Sequence, residues 1–452
     1  MKDIRKLGRG LAAGALLVAL TACDDLLTVQ DPSRFTDEDV DLALDAVAKG
    51  IEGGLQVSLD QWIIYTNLLS DVWQHTGTWI QYDDTDHGRI DYETNRYSGS
   101  GFLSLRFEAN DAIDRFERIA AGGGDVSDDL RAQVLVSEGW MDLIAGMTQC
   151  EDPLGQGTAA SPYTAMLAQA RDKLTDALTV ASGDFELWAR AGIARAEVLL
   201  GNYSAADAAA AAVLGAAPAG WEKLAKYQVT IQDNSVVQLD TWGFNHAAGM
   251  REKWWFLVDD AELQMMDPLT SELDSRVPIR HEAGVLGVDG TTEYYSQWKY
   301  TDPGDDIPMT HLDEMTLIRA EAAMETGNPA GALAMLNGLR AAVGLSPAPN
   351  AMFADPADPT RDEVFEVLMN ERFAEMFMEG GRMFDLHRFG LTAGFMAGTG
   401  PGRAGFPAGV GDFMETEPVR PTLFPMSQNE AIENPNIEDD VSKRCVPRTS
   451  DY

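Results

Sequence analysis

The sequence predicts a mainly α-helical protein in which paired helices form a stiff scaffold carrying irregular, loop-rich insertions. Three observations predict it. Apolar residues recur at helical spacing in one segment after another, a helix-turn-helix pattern occurs twice, and long stretches between them have no clean period.

The helices come first. Val40, Leu44, Val47, Ile51 and Leu55 fall on one helical face, as do Phe102, Leu105, Ala109, Ile113 and Phe116. The same spacing predicts helices over about 127–147, with Ser127 as N-cap, and over about 164–181, 184–200, 204–214, 311–326, 330–342 and 361–378. Two of the junctions repeat. Arg195-Ala196-Glu197 precedes Gly201-Asn202-Tyr203 and an Ala-rich run, and Arg319-Ala320-Glu321 precedes Gly327-Asn328-Pro329 and the run Ala330 to Leu339. Gly or Asn accepts the left-handed conformation that ends a helix. This is the texture of tetratricopeptide-like helix pairs, which stack through neighbour contacts, here expected to form a right-handed scaffold.

The insertions differ in kind. From about Pro218 to Asp306 the chain is rich in Trp and Tyr, and from about 390 to 417 it is rich in Gly and Pro. A third stretch, about 76–100, reads as a loop of Gly, Asp, Thr and Tyr. A single domain over 37–452 is expected, its scaffold at about 37–217 and 307–390 with the three insertions packed on it. Loops held by a rigid scaffold are where binding usually resides. Sugars present apolar faces rimmed by hydroxyls, and peptides also dock on aromatics. The candidate ligand-binding residues are therefore Trp79 and Tyr82 in the first insertion, with Trp242, Phe244, Asn245, Trp254 and Trp255 in the second. Packing is the competing reading for each, because aromatic side chains bury large areas and dominate cores.

The first twenty-three residues set the expected compartment. Lys2, Arg5, Lys6 and Arg9 form a positive start, and Leu11 to Leu20 form an apolar run shorter than the ~20 residues a spanning helix needs. Residues 1–22 read as an export signal. Leu20-Thr21-Ala22-Cys23 follows the lipobox pattern, which implies lipidation of Cys23, with residues 23–36 as a tether that docks through Leu26, Leu27 and Val29. Several acyl chains, each buried methylene worth about 0.8 kcal/mol, make such an attachment lasting.

Composition narrows the function. Lys and Arg total 34 against 72 Asp and Glu, a formal net charge of -38. Without a basic tract after the signal, nucleic acid is excluded as a partner class. The acidity itself reads as solubility or a saline habitat before it reads as ligand selection. With Cys23 taken by lipid, Cys150 and Cys445 remain as a possible disulfide in a compartment that permits one, or as two thiols. The 6 histidines form no ligand pair at helical spacing, so no transition-metal site is expected. No phosphate-cradling glycine loop or nucleophile elbow is present, and no cofactor is implied. Asp83, Asp84 and Asp86 lack the glycine-placed calcium loop and read as a solvated acidic loop.

Several motifs in order along the chain carry a resemblance. They are Tyr295-Ser296-Gln297-Trp298-Lys299-Tyr300, Ile307-Pro308, Leu317 through Ala322, Ala332 through Asn337, Arg340 and Gly344-Leu345. Asn370-Glu371-Arg372, Glu375, Glu379-Gly380, Arg382, Phe384-Asp385-Leu386 and Arg388 follow, and then Leu423-Phe424-Pro425-Met426, Glu430 and Asn434-Pro435-Asn436. This series resembles the SusD/RagB family of nutrient-uptake lipoproteins. The resemblance implies a SusD-like fold and a non-catalytic outer-membrane protein, lipid-anchored and facing the cell exterior. It also implies delivery of captured glycan to a SusC-like TonB-dependent transporter. Peptide ligands, a surface glycoside hydrolase and a helical-repeat scaffold for protein partners are the alternatives. Trp298 and Tyr300, inside the shared signature, are expected to be structural.

Glu371, Glu375 and Glu379 recur every four residues, as on one helix face, and Arg382, Asp385 and Arg388 continue the row with alternating sign. Paired carboxylates serve as acid and base in glycoside hydrolases. With Arg372 and the other arginines so near, the preferred reading is a structural charged network and no catalytic residue.

Overall fold

The computed structural model describes residues 40–70, 72–90, 100–243, 246–248, 264–390 and 421–437. The chain divides into two compact units, 1–47 and 48–452. In the first, the described residues are 40–47, where the Ala43 N–H bonds the Val40 carbonyl at the entry to a helix. The signal, Cys23 and most of the tether lie outside the described residues.

Helix α1 (Leu44–Leu69) buries Ile51, Leu55, Leu59 and Ile63, continuing the face its apolar spacing predicts. Strand β1 (Trp73–His75) and helix α2 (Ile80–Asp86) follow. The stretch 76–100 is thus not all loop. Tyr82 is the reason: it packs between Tyr65, His75 and Trp79, with ring centroids 5.3, 5.9 and 5.5 Å away, and that burial stabilises a helix too short to stand alone.

Helices α3 (Ser100–Ala121) and α4 (Asp128–Thr148) form the first long pair, α4 starting where the Ser127 hydroxyl accepts the Leu130 N–H. A ribbon of β2 (Glu151–Pro153) and β3 (Ala160–Pro162) leads into α5 (Tyr163–Ala177), α6 (Gly183–Leu199) and α7 (Tyr203–Ala216), each helix packed on the one before. Glycine makes the contacts close. A Cβ on Gly192 of α6 would lie 2.6 Å from Leu174 Cδ1 and 2.9 Å from Trp140 Nε1, and one on Gly139 of α4 would lie 2.6 Å from Leu174 Cγ. Leu174 therefore fills the space that two missing side chains leave.

The array then pauses for β4 (Glu222–Ala225), α8 (Ser235–Leu239), β5 (His246–Ala248), β6 (Gln264–Met266), β7 (Leu273–Leu286), β8 (Glu293–Gln297) and β9 (Ile307–His311). β6, β7 and β8 form an antiparallel sheet in that order, and β5 pairs with β1. β4 pairs antiparallel with β9, Glu222 opposite His311 and Ala225 opposite Ile307, which closes the insertion at a neck. This region, read from sequence as irregular, holds most of the strands. Its pattern is hard to read because β7 buries a charge, Asp274, along with Val277 and Ile279.

Leu312 opens α9 (Leu312–Glu325) directly after the neck, and α9 packs on α7, so the array resumes where it stopped. Helices α10 (Pro329–Ala342) and α11 (Arg361–Glu375) pack on it in turn, and α12 (Arg382–Arg388) and α13 (Gln428–Glu433) follow. The two Gly-Asn turns close alike. Gly201 (φ 76°) precedes an Asn202 N–H bonded to the Glu197 carbonyl, and Gly327 (φ 89°) precedes an Asn328 N–H bonded to the Ala323 carbonyl. The protein is mainly α-helical, and among the described residues no helix is long and apolar enough to cross a membrane. Cys150 is buried and disulfide-bonded, while Cys445 lies outside the described residues.

Candidate functional site

The β1–β5 ribbon brings two insertions together. Trp73 pairs with Ala248 and His75 with His246, so the exit of β1 lies beside the entry of β5. Trp79 stands four residues after His75, and Trp242 four residues before His246. Both tryptophans therefore leave the same end of the ribbon, and both are open to solvent, Trp79 at 45% and Trp242 at 54% exposure. Tyr82, 6% exposed, is a core residue that backs Trp79 and is not itself a free platform. Phe244, Asn245, Trp254 and Trp255 lie outside the described residues.

Beneath Trp242 is a fixed base. Asp240, fully buried after α8, accepts hydrogen bonds from Trp73 Nε1 (3.1 Å), Tyr294 Oη (2.8 Å), Ser296 Oγ (2.9 Å) and the Gln297 N–H (3.1 Å). Burial pushes its carboxyl up to about 7 although these four donors act the other way. Thr241 Oγ1 donates to the Gln297 and Tyr300 carbonyls, and the Trp242 N–H bonds the Val237 carbonyl. The base thus ties β1, the segment after α8 and β8 together, which presents Trp242 on a rigid support. Sequence reasoning missed Asp240. Its signal was present only as a lone acid two residues before a candidate tryptophan.

The acidic run near Trp79 is less solvated than expected. Asp83 and Asp84 both pair with Arg89, Asp84 at 2.9 Å, while Asp86 is buried and accepts the His75 N–H. Trp298 departs from expectation in the other direction. Tyr300 is buried, but Trp298 is 40% exposed with the Arg280 guanidinium 4.7 Å over its ring.

Glu371, Glu375 and Glu379 do not share a helix. α11 ends at Glu375, and Met378 (φ 62°) and Gly380 (φ 79°) reverse the chain before α12, so Glu379 sits in the turn and Arg382, Asp385 and Arg388 lie beyond it. A Cβ at Gly380 would also sit 2.6 Å from Trp62, so only glycine fits that turn. The partners come from afar. Glu371 is held by Arg340 (2.6 Å) and Arg276 (2.7 Å), and Glu375 by Arg276 (2.8 Å). Glu379 faces Lys299 (2.7 Å) and His311 (3.3 Å). Arg372 and Arg388 share Asp385 at 2.8 and 2.9 Å, Arg388 also pairs with Glu321, and Arg382 lies over the Phe373 ring. Glu371 is wholly buried with both oxygens engaged, an arrangement suited to holding elements together and closed to water.

Residues 281–441 match the family model of the SusD family. Solved structures similar in fold include a SusD superfamily protein from Bacteroides vulgatus, 15% identical, covering 88% of this chain and 98% of that one at a TM-score of 0.62. A SusD-like carbohydrate binding protein from the same organism is 14% identical over 88% and 97% at 0.63. A SusD superfamily protein from Parabacteroides distasonis is 11% identical over 90% and 99% at 0.60. No curated protein matches the sequence. The chain resembles the SusD/RagB family in sequence over that span, and its fold is SusD-like.

Proposed function

We propose that this protein is a non-catalytic, lipid-anchored glycan-binding protein of the outer membrane that hands its ligand to a SusC-like TonB-dependent transporter. The observation that carries the reading is the pair of exposed indoles, Trp79 and Trp242, leaving one end of a ribbon whose base is clamped through Asp240. Flat apolar rings on a rigid support stack on the apolar faces of sugars, with little ordering cost on binding. Likeness to a structure described as a SusD-like carbohydrate binding protein supports the ligand class, and the motif series supports the transporter. The test is a screen of the mature protein against polysaccharides and peptides, followed by titration of whatever binds. Trp79→Ala and Trp242→Ala should each weaken glycan affinity about tenfold, the loss of about 1.4 kcal/mol of stacking. Unchanged affinity in both would reject this face, and binding of peptides alone would replace glycan with peptide.

A further inference from the structure

A second cleft, of about 530 Å³, is lined by neither Trp79 nor Trp242 and is walled by β4, β7, the segment after β8, the start of α9 and the end of α11. Its cations are already engaged. Arg276 is held by Asp274, Glu371 and Glu375, Lys299 by Glu379 and the Phe377 carbonyl, and His311 by Glu379. Its carboxylates are in surplus. Among the described residues Glu222 and Asp313 make no ion pair, and Glu375, whose side chain is 9% exposed, gives Oε1 to Arg276 while no donor reaches Oε2. Burial, with a smaller push from Asp313, raises the Glu375 carboxyl against the pull of Arg276 and His311. Trp298 adds a half-exposed aromatic wall, one face of its ring covered by Arg280.

We propose that this cleft binds a primary ammonium group carried on a compact body of about monosaccharide size. An ammonium brings one charge and three donors to a site whose free groups are acceptors, and its carbon framework can lie along Trp298. An anion would meet the surplus carboxylates. Two sources share this chemistry, an amino sugar and a lysine side chain. The inference uses none of the residues of the glycan face, so either reading can fail without the other.

The test is calorimetric titration of the full mature chain with glucosamine, with Nα-acetyl-lysine methylamide, and with N-acetylglucosamine as the uncharged control. At least one amine should saturate the protein, about tenfold or more tighter than the control and weaker as salt rises. The source is whichever amine binds. The double variant Glu222→Gln with Asp313→Asn alters two exposed side chains and should melt like the parent. It should lose about fivefold or more in affinity, while Trp79→Ala should leave amine binding unchanged. Failure of both amines to saturate, equal binding of the control, an unaffected double variant, or loss of amine binding in Trp79→Ala would each overturn the proposal.

Discussion

At Glu379 one buried carboxylate faces two cations. Burial by itself would raise this acid, but Lys299 and then His311 outweigh it and hold it at about 2. Burial would lower His311, yet Glu379 carries it up to about 9, at the expense of a long 3.4 Å cap bond from the Glu314 N–H. The signs give opposite limbs. A lowered acid stabilises the fold above its ordinary value near 4.3 and loses that contribution as pH falls towards 2. A raised histidine stabilises fully below 6.5 and loses its contribution as pH rises through 9. Unfolding free energy should therefore be highest between about pH 4.5 and 6.5 as far as this pair is concerned. Urea titrations from pH 5 to 9.5 should show an alkaline decline that is flattened in His311→Gln by up to about 3 kcal/mol. An identical alkaline limb in the variant would remove the pair from the account. The carboxylates were legible in the sequence as a charged row. Their partners were not, because Arg276, Lys299, His311 and Arg340 come from elements distant along the chain.

At the scale of elements, the helices were legible because burial of one face imposes a period. The predicted 127–147 and 184–200 are found at Asp128–Thr148 and Gly183–Leu199. Most strands of the β-rich insertion have three to five residues and offer no such period, and the longer β7 buries Asp274 among its apolar positions, so the insertion reads as irregular from sequence. The site shared this limit. Trp79 and Trp242 could be named from their loops, but only the register of β1 with β5 says that they share an end. Close helix packing makes a sharper test. Gly192→Ala drives a methyl into Leu174 and Trp140 and should cost about 1–3 kcal/mol. Gly50→Ala in α1, where nothing lies within 4 Å of the added carbon, should stabilise by about 0.5–1 kcal/mol. Urea midpoints of the two variants should shift in opposite directions, and a neutral Gly192→Ala would mean that the packing yields.

For the whole molecule, attachment to the envelope is proposed to rest on Cys23 and its acyl chains, because Leu20-Thr21-Ala22-Cys23 follows the lipobox pattern. Cys23→Ser should abolish incorporation of labelled palmitate and shift the protein from the membrane to the soluble fraction of its host. Retention of label and of membrane partition would refute the anchor. The lipobox pattern can be proposed from sequence because export signals consist of local chemistry, a few adjacent side chains at a time.

The paired strands β4 and β9 place the two ends of 226–306 side by side, which makes that segment a cassette in topological terms. Closure entropy grows slowly with length, so descendants of this gene can swap longer or shorter cassettes without re-registering the helices. The limit on such exchange is electrical. Arg276 and Lys299 belong to the cassette, whereas Glu371, Glu375 and Glu379 belong to the frame that receives it. A transplant lacking those two cations would leave Glu375 with no cation at all and Glu371 and Glu379 with only Arg340 and His311, so a working chimaera must inherit both positions while the surface around Trp242 is free to diversify.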